Sequence, residues 1–350
     1  MKRKSNRAVS CPNEHCKDGN IALHGFSKVK WGKRRRYRCT TCGKTFGATT
    51  GTPYKRLQHP MRKFDRVASL SVEGVNKSSI ARLEGLSWNT VSRWLELAAS
   101  LARRFNTART RGYVLRELQL DELNTFLQKR NRKTWVFAGI EVWSRLWPAT
   151  LVGPRSFRNT RQFVGDIANG CTWTGYPLIT TDGFKFYATT IRRVFGLGCV
   201  LAQVIKKIKR NRVVRVGTKM IVGSKWRLED ALQDSEDSNK LNTAFIERLN
   251  LTIRQGSAYL HRRTPCHARK KRALEDHLKL FRCYYNFGRP HSSLKFGREV
   301  RTPAMQAGLA SRKLSFRDIF TARVGLVVFV LAGMRGGAYH QRSQVANVAA

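Results

Sequence analysis

Acidic side chains are scarce in this chain: 22 Asp and Glu stand against 67 Lys and Arg in 350 residues, a formal net charge of +45. A chain so charged has little electrostatic reason to gather carboxylates, so acids that its pattern does bring together call for a chemical explanation. Long apolar runs are missing too. The longest, Val324 to Met334 (VGLVVFVLAGM), falls short of the roughly 20 residues of a spanning helix. After the basic MKRKSNR comes CPNEHCKDGN rather than the apolar stretch of a secretory signal. The expectation is a soluble, cytoplasmic protein with no membrane partner, nucleoid-associated if that partner is DNA. Hydrophobic residues make up 41% of the chain, enough for a packed core and against wholesale disorder. Excess positive charge implies a polyanionic partner, because neutralising phosphates releases their counterions. A ribosome-associated or chromatin-coating protein would satisfy the charge, but it would need no acidic cluster.

Four of the eight cysteines fall in two pairs, Cys11 and Cys16 (CPNEHC) and Cys39 and Cys42 (CTTC). Two such knuckles separated by strand-like basic sequence are expected to form a zinc ribbon, one tetrahedral Zn2+ replacing a core the segment is too short to build. Gly43 lets the backbone turn under the metal. The first pair is spaced more widely than usual, and His15 is an alternative ligand; unrelated free thiols are the competing reading, and disulfides are a poorer one in a cytosolic protein. Cys171, Cys199, Cys266 and Cys283 have no ligand spacing and read as buried thiols. Between the knuckles Lys28, Lys30, Trp31, Lys33, Arg34, Arg35 and Arg36 form either a solvated face or a phosphate-contacting ridge.

After Pro60 the apolar period becomes helical. Helices are expected over Met61 to Leu70, Lys77 to Glu84 and Ser87 to Ala98, with a corner at Gly85 and Ser87 as N-cap. SSIARLEGLSWNTVSRWLELA reads as a helix-turn-helix, with Ile80, Leu83, Val91 and Leu95 as its small core. Trp88, Asn89, Ser92 and Arg93 are the residues expected to meet DNA. Any short three-helix unit shares this period, so the extreme charge carries part of the argument. Leu97 to Arg111 reads as a helix and linker.

From Tyr113 the pattern is strand-like. YVLRELQLDEL, TWVFAGIEV and RLWPATLVG should make an antiparallel meander, followed by a helix over Asn159 to Asn169, a buried strand PLITTDG, a helix over Phe184 to Phe195 and a fifth strand CVLAQVI. That order is the α/β order of a ribonuclease H-like mixed sheet flanked by helices, in which Asp121 and Asp182 would converge. On the wheel of the later helix, Leu241, Phe245, Leu249 and Ile253 make an apolar stripe, and Thr243, Glu247, Asn250 and Arg254 lie opposite. The wheel leaves Glu247 open as a solvated acid or a functional one. Two basic runs, Lys206, Lys207, Lys209, Arg210, Arg212 and Arg215 in a hairpin-like stretch, and Arg262, Arg263, Arg269, Lys270, Lys271 and Arg272, are either solvated faces or DNA contacts. Beside a carboxylate site the second reading is preferred. Trp173 and Trp226 read as core.

FIERLNLTIRQ followed by LHRRTPCHARKK, with TDGFKFY upstream and LDEL before that, resembles the transposases of the bacterial insertion-sequence-one family, a branch of the DDE transposases. The resemblance runs over roughly residues 10 to 310, and the glutamate-helix motif is its most specific part. It implies Asp121, Asp182 and Glu247 as the catalytic acids, Asn250 and Arg254 as the matching residues after the glutamate, and two Mg2+ ions, with Mn2+ as a substitute. It also implies cut-and-join chemistry on transposon ends. YYNFGRPHSSL is similar to the segment that closes integrase cores in other insertion-sequence families, where Arg289 and His291 either support the site or pack. The expected organisation is a zinc ribbon at 8–50, a DNA-binding helix-turn-helix module at 58–110, the catalytic core at 112–309 and an unassigned tail at 310–350.

Phosphodiester cleavage needs an activated water, an in-line approach and neutralised charge on the oxygens that attack and leave, and two hard divalent cations supply all three. The expected partners are therefore the element's terminal inverted repeats and target DNA. Two ends must be held together, so a homodimer or larger assembly is expected. Competing readings are a non-catalytic DNA-binding regulator, which has no use for the acids, and a structure-selective nuclease of the same fold.

Overall fold

The computed structural model describes residues 9, 11–13, 16, 19–29, 32–209, 212–235 and 240–322. His15, Lys30, Trp31, Arg210, the side chains of Lys207 and Arg212, and the apolar run from Val324 lie outside the described residues. At the amino-terminal end β1 (Ile21–Val29) and β2 (Gly32–Cys39) form an antiparallel hairpin, and β3 (Thr45–Gly47) pairs with β2. Its buried apolar set is Cys11, Cys16, Cys39 and Phe46. So few side chains cannot offset the entropy of ordering the segment, and a cross-link has to contribute.

Three helices follow: α1 (Met61–Val72), α2 (Lys77–Glu84) and α3 (Trp88–Arg109). Asn76 caps α2 by accepting the Ser79 N–H at 2.9 Å, Gly85 ends it in the left-handed region at φ 56°, and the Ser87 hydroxyl accepts the Thr90 N–H at 3.1 Å to begin α3. Ile80, Val91 and Leu95 are buried as the spacing predicts, but Leu83 is 64% exposed and belongs to no core. It stands in the last turn of α2, which Gly85 closes before that face meets a neighbour. α3 also runs unbroken through the expected linker, because Ala98, Ala99, Ala102 and Phe105 keep its buried stripe going.

Beyond β4 (Tyr113–Val114) lie β5 (Glu117–Phe126), β6 (Lys133–Glu141), β7 (Thr150–Gly153), α4 (Phe157–Ala168), β8 (Cys171–Thr172), β9 (Leu178–Asp182), α5 (Lys185–Phe195), β10 (Val200–Lys209) and β11 (Arg212–Val222). Six of these strands make one mixed sheet in the order β11-β10-β9-β5-β6-β7. β9 runs parallel to both β5 and β10, and the remaining pairs are antiparallel. The sixth strand, β11, is the second arm of the basic stretch that the sequence shows as hairpin-like. β7 is shorter than its apolar run because Pro148 cannot donate to a ladder.

The sheet is covered on both faces, as a mixed sheet of apolar strands requires. On one face Leu118, Leu120, Ile179 and Leu201 pack with Phe163, Val164 and Ile167 of α4 and Tyr187 and Ile191 of α5. On the other, Leu123, Val136, Ala138 and Ile140 pack with α7 (Ala244–Gln255) and α8 (Lys271–Cys283), after the short α6 (Lys225–Gln233). Trp226 is 63% exposed on α6 and is not a core residue, because α6 buries no side chain. Of the cysteines expected to be buried, Cys171, Cys199 and Cys283 are, whereas Cys266 is only partly covered.

The same apolar cluster continues from α7 and α8 into α1, α2 and α3. After β12 (Lys295–Phe296), β13 (Glu299–Val300) and α9 (Pro303–Gln306), α10 (Phe316–Thr321) adds Phe316, Ile319 and Phe320 to that cluster. Residues 310–322 are thus part of the fold rather than the start of a separate tail. Phe64 of α1 meets Phe320 edge-on at 5.5 Å, and Arg317 donates to Asp65 at 2.9 Å. Asp65 also accepts from Tyr54.

Candidate active site

Register puts two acids side by side. Leu120 of β5 lies beside Thr181 of β9, so one step on Asp121 meets Asp182, and side chains level with each other on neighbouring parallel strands share a face. That face is the one α7 covers. Its alternate residues Gln119, Asp121 and Leu123 point at the helix, and the Gln119 amide oxygen accepts the N–H groups of Phe245 and Ile246, each at 3.1 Å. Those are otherwise orphaned donors of the first turn of α7, where Thr243 makes no side-chain cap.

Asn250, one turn further along α7, donates from Nδ2 to Asp121 Oδ2 at 2.8 Å, and Asp121 Oδ1 accepts the Glu122 N–H at 2.8 Å. Asp182 accepts the Phe184 N–H on Oδ1 at 3.0 Å and the Arg155 guanidinium on Oδ2 at 3.3 Å. Arg155 also pairs with Glu122, Nη2 to Oε2 at 2.8 Å, and lies over the Phe184 ring at 4.0 Å.

Sequence reasoning missed Glu122. Asp121, Glu122 and Asp182 each offer a carboxylate oxygen, all within 4.8 Å of one another, and among the described residues this is the compact carboxylate group. The signal was in plain view in LDEL, but a strand period sends neighbours to opposite faces, and only the site's position at the end of β9 lets both acids reach it. Glu247 stands outside that group. It pairs with Lys206 and accepts from the Thr243 hydroxyl at 2.8 Å. Its side chain is 53% exposed, and its charge is close enough to act on Asp121.

Electrostatics mark the acids as a strained group. Burial pushes the Asp121 carboxyl up to about 6, the Glu122 N–H opposes, and the charges of Asp182 and Glu247 add to the rise. Burial also pushes Glu122 up to about 7, with Asp182 and Asp121 adding while Arg155 opposes. The Tyr187 hydroxyl lies beside Glu122 without the geometry of a formed hydrogen bond. At Glu247 burial raises the value, but hydrogen bonds from Lys206 and Thr243 outweigh it and the net shift is downward. Crowded carboxylates in a basic protein are what a hard divalent cation relieves. The buried Asn250 Oδ1 and Glu122 Oε1, which make no hydrogen bond, are further oxygen donors there.

The basic candidates divide. Lys206 is exposed and pairs with Glu247 and the Thr243 hydroxyl. Arg254 reaches the Asn124 carbonyl at 3.5 Å and the Leu260 carbonyl at 3.4 Å. Burial, then the nearby charge of Arg262, lower its pKa, and Asp121 opposes, so these groups share one neighbourhood. Arg262, Arg263, Arg269 and Lys270 are exposed, and Asn250 is buried. The polar side of α7 is thus mixed, with Asn250 buried, Arg254 partly covered and Glu247 exposed, and Ile246, absent from the expected stripe, is fully buried. Trp88, Asn89 and Arg93 are exposed at the start of α3, where Lys77 lies 5.3 Å from the Trp88 ring centroid and donates to Ser92 at 2.9 Å. His291 packs against Tyr285 at 4.5 Å, and burial lowers its pKa to about 4.

The cysteines converge as their spacing predicts: the four sulfurs lie within 4.8 Å of one another. Cys11 and Cys42 are 3.5 Å apart, and Cys16 and Cys39 are 3.6 Å apart. These separations are far beyond the roughly 2.05 Å of a disulfide and near the edge, about 3.8 Å, of a tetrahedron with metal–sulfur bonds of about 2.3 Å. The Cys42 N–H lowers Cys39 to about 6, toward the thiolate a metal takes. A Cβ at Gly19 would collide with the Cys39 sulfur and lie 2.9 Å from that of Cys16.

No helix among the described residues is long and apolar enough to cross a membrane. No protein-family model matches the chain, and no curated protein matches it. Among solved structures it is similar to a piggyBac transposase synaptic complex with hairpin DNA seen by electron cryomicroscopy, with 8% identity and a TM-score of 0.30 over 72% of this chain and 70% of that one. A likeness this remote carries no weight for activity.

Proposed function

We propose that the chain is a DDE-type DNA transposase, close in kind to the insertion-sequence-one family, that cuts and joins DNA at the ends of an insertion sequence. The observation that supports this best is the pairing of Asp121 with Asp182 on adjacent parallel strands under α7, in a protein of net charge +45. The sheet order β7-β6-β5-β9-β10, with β11 added at the edge, is the order expected of a ribonuclease H-like core. A regulator that only coats DNA has no use for such a pair.

Asp121 and Asp182 would hold divalent Mg2+ or Mn2+, with Glu247 as the third acid. Bound there, such cations supply a nucleophilic oxygen at neutral pH and neutralise charge on the scissile phosphate. The chain's own residues do the positioning. Asn250 fixes the Asp121 carboxylate, Gln119 docks the helix that carries Glu247 and Asn250, and Lys206 holds Glu247 in reserve. Arg254, Arg262 and Arg263 line the approach for phosphates. The four cysteines would hold one structural Zn2+, and α2 and α3 would act as a helix-turn-helix that presents Trp88, Asn89 and Arg93 to duplex DNA. Two copies would bring two ends together.

The test is a nicking and joining assay with Mg2+ on DNA carrying the sequences that flank this gene. Wild-type protein is expected to release 3′-hydroxyl ends and join them to target DNA. Asp182→Asn and Glu247→Gln are expected to lose at least about a hundredfold, the scale of removing a group that stabilises the transition state. A wild type that binds these ends but leaves them intact would sink the reading.

A further inference from the structure

The Arg155 guanidinium sits between two carboxylates of unequal standing. Glu122, at 2.8 Å, has a side chain only 1% exposed, whereas Asp182, at 3.3 Å, is 40% exposed and faces the candidate cation site. The guanidinium is itself confined, stacked on Phe184 at 4.0 Å with its Nε buried and unpartnered. It follows β7 and precedes α4, so backbone on either side limits its travel.

A cation in contact with a carboxylate and an arginine on the same carboxylate compete, because both are positive and both need the same oxygen. An arginine without another anion nearby would close on Asp182 and hold it. Glu122 is that other anion. It is closer to the shared Nη2 than Asp182 is, and more deeply buried.

We propose that Glu122 and Arg155 form a positioning clamp for Asp182: Arg155 orients the carboxylate, and Glu122, as its buried counter-charge, keeps Arg155 from capturing it, so that a divalent cation can bind. This deepens the transposase reading and rests on it for the role of Asp182. Neither residue needs to touch DNA for the clamp to work, and the Arg155 guanidinium favours the ionised form of Glu122 that the clamp uses.

Mn2+ alone is the probe, with binding to the full-length protein followed by calorimetry. Wild type is expected to bind it and Asp182→Asn to bind it much more weakly. Glu122→Gln should weaken binding by roughly tenfold or more, the effect of leaving one unit charge uncompensated a few ångströms from a cation. Glu122→Gln combined with Arg155→Gln should recover the wild-type affinity to within about threefold, since the pair is removed together. Arg155→Gln alone should bind Mn2+ no more weakly than wild type yet cleave DNA at least about tenfold more slowly at saturating cation, because Asp182 has lost its orientation and not its charge. Thermal unfolding of each variant separates these effects from loss of fold. Glu122→Gln binding as tightly as wild type, or a double variant no better than Glu122→Gln, overturns the clamp. Wild type that binds Mn2+ with this pattern but cleaves nothing overturns the transposase reading and leaves the clamp standing.

Discussion

At the scale of residues, the site is a group of acids held together against their charge, and that has a pH signature. Asp121 has its folded-state value raised from 3.8 to about 6, so the folded chain takes up a proton there more readily than the unfolded one. The stability from that uptake is fully present below 3.8 and is lost as pH rises through about 6. Without added divalent cation, Asp121→Asn should therefore stabilise the protein at pH 7.5 by about 1 to 3 kcal/mol and much less at pH 5, as read from thermal melts at the two values. For the same reason Mn2+ affinity should fall as pH drops below about 6, because the proton and the cation compete for one carboxylate. Asp121 and Asp182 could be picked from sequence because each ends or interrupts an apolar strand. Glu122, Arg155 and Gln119 could not. Their roles arise from which strands become neighbours, and a one-dimensional pattern does not contain that.

At the scale of elements, α7 is docked by its first turn. Gln119 accepts both the Phe245 and Ile246 N–H groups, so Gln119→Leu should cost about 1 to 3 kcal/mol by leaving buried donors unpaired and should weaken cation binding with it. Urea unfolding and Mn2+ titration of the same sample check both parts. The far end is as constrained: a Cβ at Gly256 would run into the Phe281 ring, and Gly256→Ala should be destabilising. In the amino-terminal sheet, Gly19→Ala is expected to lower bound zinc from about one equivalent toward zero, measured by atomic absorption, since the added methyl occupies space beside two sulfurs of the tetrahedral set. Helix positions were legible wherever apolar period and caps coincide, as for α2 between Asn76 and Gly85. α3 was read too short because its continuation carries alanines, which bury without announcing themselves. β11 was legible only as an arm of a hairpin-like basic stretch, because most of its residues with described side chains are exposed.

At the scale of the whole molecule, the helices at residues 61–109 do not hang from the sheet on a flexible tether. They share an apolar cluster with α7, α8 and α10, and polar ties such as Arg317 to Asp65 and Asn106 to the Lys279 carbonyl at 3.1 Å cross the same boundary. Ending the chain at residue 309 should therefore destabilise both parts at once. Phe320→Ala alone should cost about 3 to 5 kcal/mol, with a single unfolding transition rather than two. The sequence could not reveal this joint, because Phe320 meets Phe64, some 250 positions away, within a cluster that Phe316 and Ile319 share. The central claim remains that Asp121 and Asp182 share a divalent cation. Anomalous diffraction from crystals grown with Mn2+ tests it most directly. The account predicts a manganese peak about 2.1 to 2.3 Å from an oxygen of each carboxylate that is lost in Asp182→Asn; no peak between them, or one that survives the substitution, would contradict it.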